Sequence, residues 1–312
     1  MHWGISSAAA IFVAIGAAAA MESPRTPEVV ATIPSPAFNE NISEDADGTF
    51  YVTGAFEGNL WKIGKAGTVE KLAHFDQYPA ILGVAALPDS IVVGAFRRDF
   101  RTPAGFDFSI VGSEVVVVDK TTGKVIAAVP AQQGQVFNGM VADGRGKVLT
   151  TDSLGASVWQ FDPATRTLSL WLKDAALASS NAQSLGANGI KVAGDWVYIA
   201  NREKLSIFRV SIDARGRAQG PVTLVAKDLP HADDFAVAGD GTIYLPPGDQ
   251  TKPSPMLRIT PNGERRTAAV GPAGASAMVS SDGKWVYWAT NSGLVPKTPD
   301  PQKLLRVPVA AP

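Results

Sequence analysis

Oxygen-bearing side chains recur at one position of an internal repeat in this chain of 312 residues. In each of six copies this position lies seven residues before a tight turn such as Asp47-Gly48, and successive copies are 42 to 56 residues apart. We call it the leading position; its occupants in chain order are Glu40, Leu82, Asn138, Asn188, Asp233 and Ala275. Carboxylate and amide oxygens are the ligands that hard divalent cations prefer. If the four polar members converge, they predict a site for Ca²⁺, with Zn²⁺ or Mn²⁺ as alternatives.

Each of these residues also has a purely structural interpretation. Asn138 and Asn188 both precede a glycine, and Asn-Gly pairs form turns because both residues accept unusual backbone angles. Glu40 could be a solvated loop carboxylate, and Asp233 could cap a turn. All four nevertheless share one register with the repeat, which favours a common polar or metal centre.

The segments around the leading positions indicate strands. After each turn comes an extended run rich in aromatic and β-branched residues, such as TFYVTG or WVYIAN. A further run such as NLWKI follows, and most units continue into another, such as TLSLWLK. Each unit is therefore about four antiparallel strands, which is typical of a propeller blade. The sequence predicts an all-β fold, a six-bladed β-propeller with four-stranded antiparallel blades, whose first strands line the central channel.

The two ends of the repeat array complement each other. The sixth unit stops after the run LLRV, without a fourth strand of its own, whereas EVVATIP at positions 28–34 precedes the first unit. Pairing this N-terminal strand into the last blade would close the ring and remove an exposed sheet edge. We therefore expect residues 21–312 to form a single propeller domain.

Composition and the first residues restrict the class of protein. Lys and Arg total 28 against 29 Asp and Glu, for a net charge of -1 without a basic stripe, which argues against nucleic-acid binding. The chain has no cysteine, which excludes disulfides and thiolate sites. Residues 1–20 are apolar and end in an Ala-x-Ala site, which predicts an export signal and a secreted or periplasmic protein. An uncleaved anchor is the alternative; we expect no membrane span in the mature chain.

The short motifs ENI, FNGM, ANGIKV and ADDFAVAGDGTIYL resemble those of the SMP-30/gluconolactonase/LRE family of six-bladed propellers, over residues 28–309. The resemblance implies one divalent cation, often calcium, in the central channel and hydrolysis of lactones or related esters. By motif, Glu40, Asn188 and Asp233 match the family's metal ligands. Asn138 matches the amide that contacts metal, water or substrate, and Asp233 matches the catalytic base.

Two departures from the family pattern concern the substrate. Val136 replaces an arginine that helps hold polyols in sugar-lactone members, and Asp233-Asp234 replaces the usual Asp-Gly pair. ENI and DDFA also resemble a branch with fungal enzymes thought to catalyse cyclisations. The predicted function is metal-dependent hydrolysis of a small-molecule lactone or ester. The alternatives are a non-hydrolytic, cyclase-like enzyme or a binding module with a structural ion, and a protein partner stays open.

Two further features are candidates for substrate chemistry. His231 lies two residues before Asp233 and could act as acid or base, or be a surface-loop histidine. The long step between the second and third units exposes an insertion at 96–113 that could arch over the channel mouth or be a folded surface loop. Over the mouth, its phenylalanines would supply an apolar wall and an arginine would meet a carbonyl or carboxylate oxygen of the substrate. The candidate contacts are Phe96, Phe100, Phe106, Arg97 and Arg98.

Overall fold

The computed structural model describes residues 23–34, 38–102, 105–181, 184–293 and 301–310. Within these ranges, strands form six four-stranded antiparallel sheets, each contacting its neighbours through its first strand. The helical elements of the described ranges are two short 3-10 helices, Phe108–Ile110 and Ala175–Leu177. The predicted all-β, six-bladed propeller with four-stranded blades is confirmed.

The first three blades follow chain order from the channel outwards. Blade 1 consists of β2 (Asn39–Glu44), β3 (Phe50–Gly54), β4 (Asn59–Ile63) and β5 (Val69–His74). Blade 2 consists of β6 (Ala80–Ala86), β7 (Ser90–Phe96), β10 (Ser113–Asp119) and β11 (Val125–Pro130). A small hairpin of β8 (Arg101–Thr102) and β9 (Gly105–Phe106) interrupts it. Blade 3 consists of β12 (Phe137–Ala142), β13 (Val148–Asp152), β14 (Ser157–Asp162) and β15 (Thr167–Lys173).

The last three blades complete the ring. Blade 4 consists of β16 (Ala187–Ala193), β17 (Trp196–Asn201), β18 (Ser206–Ile212) and β19 (Ala218–Ala226). Blade 5 consists of β20 (Ala236–Val237), β21 (Ile243–Leu245), β22 (Ser254–Ile259) and β23 (Arg265–Gly271). Blade 6 consists of β24 (Gly274–Val279), β25 (Trp285–Thr290), β26 (Gln302–Pro308) and β1 (Glu28–Ile33).

The N-terminal strand closes the ring as predicted. β1 pairs antiparallel with β26, from Glu28 opposite Arg306 to Ile33 opposite Gln302, and forms the outer strand of blade 6. The two ends of the propeller are thereby joined by backbone hydrogen bonds, and the edge of β26 is covered. No helix of the described part of the chain is long and apolar enough to cross a membrane. The predicted signal at residues 1–20 lies outside the described residues, so export stays a prediction.

A bulge recurs at the leading position of the first strands. In β2 the pairing with β3 shifts register between Asn39 and Ile42, and β6, β12, β16 and β24 have equivalent shifts. Two residues of each strand, the leading residue and the one after it, are thereby released from regular pairing with their own blade. Such bulges re-aim side chains and are frequent beside active sites. The repeated offset in the sequence therefore corresponds to a repeated distortion of the backbone.

Threonines in second strands bind these bulges to the next blade. Thr151 accepts a hydrogen bond from the Gly139 amide at 3.0 Å and donates to the Asn188 carbonyl at 2.5 Å. Thr53 likewise accepts a hydrogen bond from the Asn41 amide at 3.0 Å and donates one to the Leu82 carbonyl at 2.6 Å. Both hydroxyls are fully buried, so they satisfy backbone groups that the bulge leaves without a ladder partner.

Replacing one of these threonines should cost stability, and the chain offers a matched control. Thr151→Val leaves a buried N–H and a buried C=O without their partner, and should lower the free energy of unfolding by about 2 kcal/mol. Thr150 is equally buried, but none of the described residues hydrogen-bonds to its hydroxyl. Thr150→Val should therefore leave stability unchanged or raise it. Urea unfolding of both variants checks this, and equal losses would contradict it.

Candidate functional site

Three of the four polar leading residues line one cavity of about 440 Å³ at an end of the central channel. Glu40 of β2 and Asn138 of β12 project from their bulges, and Asp233 enters from blade 5. Asn188, in the bulge of β16, is 1% exposed and is not among the residues that line the cavity. Leu82, the apolar leading residue of blade 2, also lines it. The repeat therefore brings polar side chains from different blades to one place, whereas their roles stay predictions.

Asp233 departs from the predicted placement in a first strand. β20 begins only at Ala236, three residues later, and its partner β21 ends at Leu245. Pro246 and Pro247 follow Leu245, and proline has no N–H with which to continue the ladder. Asp233 is held instead by the neighbouring blade, because the Gly189 amide donates to its carbonyl at 2.8 Å.

The protonation of Glu40 depends on its burial and on the charge of Asp233. Burial raises the pKa of Glu40 well above its usual value, and the negative charge of Asp233 raises it further. Arg202 acts in the opposite direction on the pKa of Glu40, and its Nε lies 3.8 Å from Oδ1 of Asp233. Because the guanidinium is half exposed, it compensates the two carboxylates only in part.

The side chains fit a hard divalent cation by their chemistry. Those at the cavity offer two carboxylates and one amide oxygen, and Asn188 would add a second amide; a cation between the carboxylates would stabilise both negative charges. Oδ1 of Asn188 is the atom that would bind a cation; its Nδ2 is buried, and no described residue accepts a hydrogen bond from it. No described group of three or more His, Asp or Glu side chains could hold a metal, so a cation here would depend on the amides.

His231 is half-buried beside Pro246 rather than on a free surface loop. Its Nε2 lies 2.8 Å from the Pro246 carbonyl oxygen. Since a carbonyl only accepts, Nε2 carries the proton and Nδ1 keeps its lone pair when the ring is neutral. Burial lowers the pKa of His231, and Asp233 acts against this shift. The ring is therefore neutral near pH 7, which is compatible with the predicted role as a base but does not test it.

Aromatic side chains form most of the remaining cavity wall. Phe100 and Phe106 from the insertion at 96–113 line it as expected, together with Phe108 of the first 3-10 helix. Neighbouring ring centroids in this group lie 5.0 to 5.7 Å apart. The insertion is thus folded and apolar where it faces the cavity.

The structure places two predicted substrate contacts elsewhere. Phe96 is fully buried and packs against Phe100 with its ring centroid 5.3 Å away, so it supports the wall from behind. Arg97 turns to Glu114, with its Nε 2.6 Å from Oε1, and Tyr78 donates to the same carboxylate at 2.5 Å. Arg97 therefore fastens the start of the insertion to blade 2, because its charge is already paired with a buried carboxylate.

Sequence reasoning missed other residues of the cavity. Phe56, Arg202 and Gln250 follow the second strands of blades 1, 4 and 5. The insertion occupies this same place in blade 2. The loops after the second strands of the other units could therefore have been identified as further parts of the cavity wall. The remaining missed lining residues, Phe38 and Leu185, come from the segments that lead into β2 and β16.

No protein-family model and no curated protein sequence matches this chain. Among solved structures, regucalcin, a calcium-binding protein of Agrobacterium tumefaciens, is 14% identical, with 91% of this chain and 93% of that chain covered and a TM-score of 0.64. A gluconolactonase of Xanthomonas campestris is 13% identical, with 93% and 96% covered and a TM-score of 0.62. A luciferin-regenerating enzyme is 12% identical, with 90% and 94% covered and a TM-score of 0.62. The predicted resemblance to this group of propellers is confirmed at the level of the fold.

The raised pKa of Glu40 predicts that the stability of the protein kept in EDTA depends on pH. Because its folded pKa is raised, the folded state retains a proton that the unfolded chain releases, so stability falls as pH rises above about 4.5. The slope from this group is at most about 1.4 kcal/mol per pH unit. Glu40→Gln should flatten the decline, measured by urea unfolding between pH 5 and 8.

The exposed acid Glu70 of β5 serves as the control. Glu70→Gln should change the free energy of unfolding by less than about 0.5 kcal/mol at each pH. A wild-type profile that Glu40→Gln leaves unaltered would contradict the assignment of a buried, poorly compensated acid.

Proposed function

We propose that the protein is a hydrolase that depends on a divalent cation, most readily Ca²⁺, and acts on a lactone or related ester with an apolar body. One observation carries this proposal: Glu40, Asn138 and Asp233, from three blades, line a single cavity whose other walls are largely phenylalanine. The fold likeness to a gluconolactonase and to a calcium-binding regucalcin supports it.

The residues of the chain divide into those that hold the cation and those that handle the substrate. Glu40 and Asp233 supply negative charge, and Asn138 and Asn188 supply neutral amide oxygens. A bound cation would supply positive charge that polarises the ester carbonyl. Arg202 lies on the same wall as Asp233 and is free enough, at 47% side-chain exposure, to donate hydrogen bonds to the carbonyl or carboxylate of a substrate.

Proton transfer falls to Asp233 in this proposal. Its side chain is 22% exposed and faces the cavity, so a water molecule attacking the carbonyl carbon could give its proton to this carboxylate. Glu40 is less suited to this role, since it is more deeply buried. His231, neutral and two residues before Asp233 in the chain, could take the proton onward through Nδ1.

The apolar wall selects the class of substrate. Phe38, Phe56, Phe100, Phe106 and Phe108 leave few hydrogen-bonding groups for the hydroxyls of a sugar lactone. Burying such hydroxyls without partners would cost free energy, whereas an alkyl or aryl group would gain it. The position of Val136, in place of the arginine expected for polyol substrates, is consistent with this, since its side chain is fully buried and apolar.

A panel of alkyl and aryl lactones and esters, with gluconolactone for comparison, tests the reaction. We expect hydrolysis with added Ca²⁺, loss of activity in EDTA and recovery when Ca²⁺ is restored. Asp233→Asn should lower kcat/KM by about 100-fold or more, because it removes the base and one ligand charge. Asp195→Asn alters an exposed turn acid and should leave kcat/KM unchanged.

Hydrolysis that persists in EDTA and in Asp233→Asn would exclude the metal-dependent mechanism. No turnover of any ester, with Ca²⁺ bound, would instead favour the cyclase-like or binding alternatives.

Phe56 tests the substrate class. It is partly exposed and stacks edge to face with Phe38 at 5.7 Å and Phe100 at 5.6 Å. Phe56→Ala should lower kcat/KM about tenfold for an aryl or long-chain lactone, because apolar contact in the transition state is lost. The kcat/KM for gluconolactone should change less than threefold, which corresponds to a loss of less than about 0.6 kcal/mol in transition-state binding. Phe208→Ala changes an equally half-buried phenylalanine in β18 and should leave kcat/KM for both substrates unchanged. Equal losses of kcat/KM for both substrates in Phe56→Ala would refute the apolar preference.

A further inference from the structure

A second ring of residues lies directly behind the leading positions. Each member follows a leading residue in the chain: Asn41, Gly83, Gly139, Gly189, Asp234 and Ser276. The three glycines leave no room for a side chain, since a Cβ on Gly139 would lie 2.4 Å from the Asn188 carbonyl oxygen. A Cβ on Gly189 would lie 2.2 Å from Oδ1 of Asp234. The three polar members therefore fill a hub that the glycines keep narrow.

Asp234 binds three other blades from this ring. Lys191 of β16 reaches both of its oxygens, at 2.7 and 2.5 Å. Nδ2 of Asn41 donates to Oδ2 at 3.2 Å, and the Ser276 hydroxyl donates to the same oxygen. We call these four residues, from blades 4, 5, 1 and 6, the hub clasp. Asp234, Asn41 and Ser276 are each at most 3% exposed, so the network is shielded from water.

The segment that carries Asp233 has little support from its own blade. The pairing of blade 5 begins at Ala236, and residues 233 and 234 are held by bonds to blades 4 and 6. Their backbone contributes the Asp233 carbonyl, which accepts from Gly189, and the Asp234 amide, which donates to the Ala275 carbonyl at 3.2 Å. Besides the ion pair between Arg202 and Asp233, the side-chain bonds of the clasp connect this segment to the other blades.

Asn41 and Asp234 each follow one of the two cavity acids in the chain, namely Glu40 and Asp233. We infer that the hub clasp, through the hydrogen bond between Asn41 and Asp234, positions Asp233 opposite Glu40 and thereby sets the affinity of the cation site. Asn41 is a positioning residue in this scheme, and its relation to the cation rests on the proposed function. The positioning of the segment itself does not.

The state of Asn41 supports a specific role for this bond. Its Oδ1 is buried, and no described residue donates a hydrogen bond to it. An unpaired buried oxygen costs free energy, which an apolar residue of similar size would avoid. The side chain is thus poorly explained by packing alone and is explained by its bond to Asp234.

Asn39 supplies a closely matched control for Asn41. It flanks Glu40 on the other side in β2, is fully buried, and also has an unpaired Oδ1 among the described residues. Its Nδ2 donates to the Thr290 carbonyl of blade 6 at 3.2 Å, rather than to the Asp233 segment. Asn39→Ala and Asn41→Ala therefore delete the same atoms and one interblade bond each.

Hydrogen exchange of the full chain in EDTA tests the clasp without any cation. In Asn41→Ala the amides of Gly189 and Asp234 should exchange about tenfold faster than in the wild type, because the 233–234 segment opens more often. Asn39→Ala should leave both rates within twofold. Calorimetric titration should then show Ca²⁺ binding weakened about tenfold in Asn41→Ala and less than twofold in Asn39→Ala.

Equal exchange rates in the two variants would overturn the inference. Wild-type protein that takes up no Ca²⁺ would refute the proposed function, while the exchange rates would still decide on the clasp. If Asn41→Ala fails to fold, the double variant Lys191→Met with Asp234→Asn removes both charges of the clasp and leaves none unpaired. It should show the same faster exchange, and wild-type rates in it would equally overturn the inference.

Discussion

Two carboxylates of like charge at one cavity of the central channel are the constraint on which this structure depends. Glu40 and Asp233 come from blades 1 and 5, and neither can leave the hub without disrupting the strands or turns that carry it. Burial and mutual repulsion both act against ionisation of Glu40, while the half-exposed Arg202 offsets them only partly. A protein that maintains such an arrangement gains from a counter-charge, which is the physical reason to expect a cation there.

The ring of blades makes this arrangement possible at moderate cost. The bulges release leading residues from regular pairing, and buried threonines such as Thr151 satisfy the backbone groups that the bulges expose. Closure by β1 and β26 then fixes the circumference, so that side chains of distant sequence meet at one axis. Charge is segregated at the hub, since Lys191 neutralises Asp234 while Asp233 stays available to the cavity.

The fold was predictable because every blade repeats one pattern of turn and strand, and hydrophobic repetition of this kind depends on local sequence. The convergence of Glu40, Asn138 and Asp233 followed from the same register. What the repeat could not show depends on departures from it. β20 is shortened by Pro246 and Pro247, the charge of Arg97 is taken by Glu114, and Arg202 lies in a loop without a repeated motif. Each is decided by tertiary contacts that a single sequence does not display.

The narrow hub has a consequence for how substrate and product enter and leave the molecule. A second cavity of about 370 Å³, lined by residues such as Met140, Lys191 and Met278, lies at the other end of the channel and shares no lining residue with the first. The second ring lies between the two linings, and its three glycines leave no room there for a side chain. We therefore expect the first cavity to open at one end only. Whatever enters beneath the phenylalanines must leave by the same opening, so departure of one molecule has to precede arrival of the next.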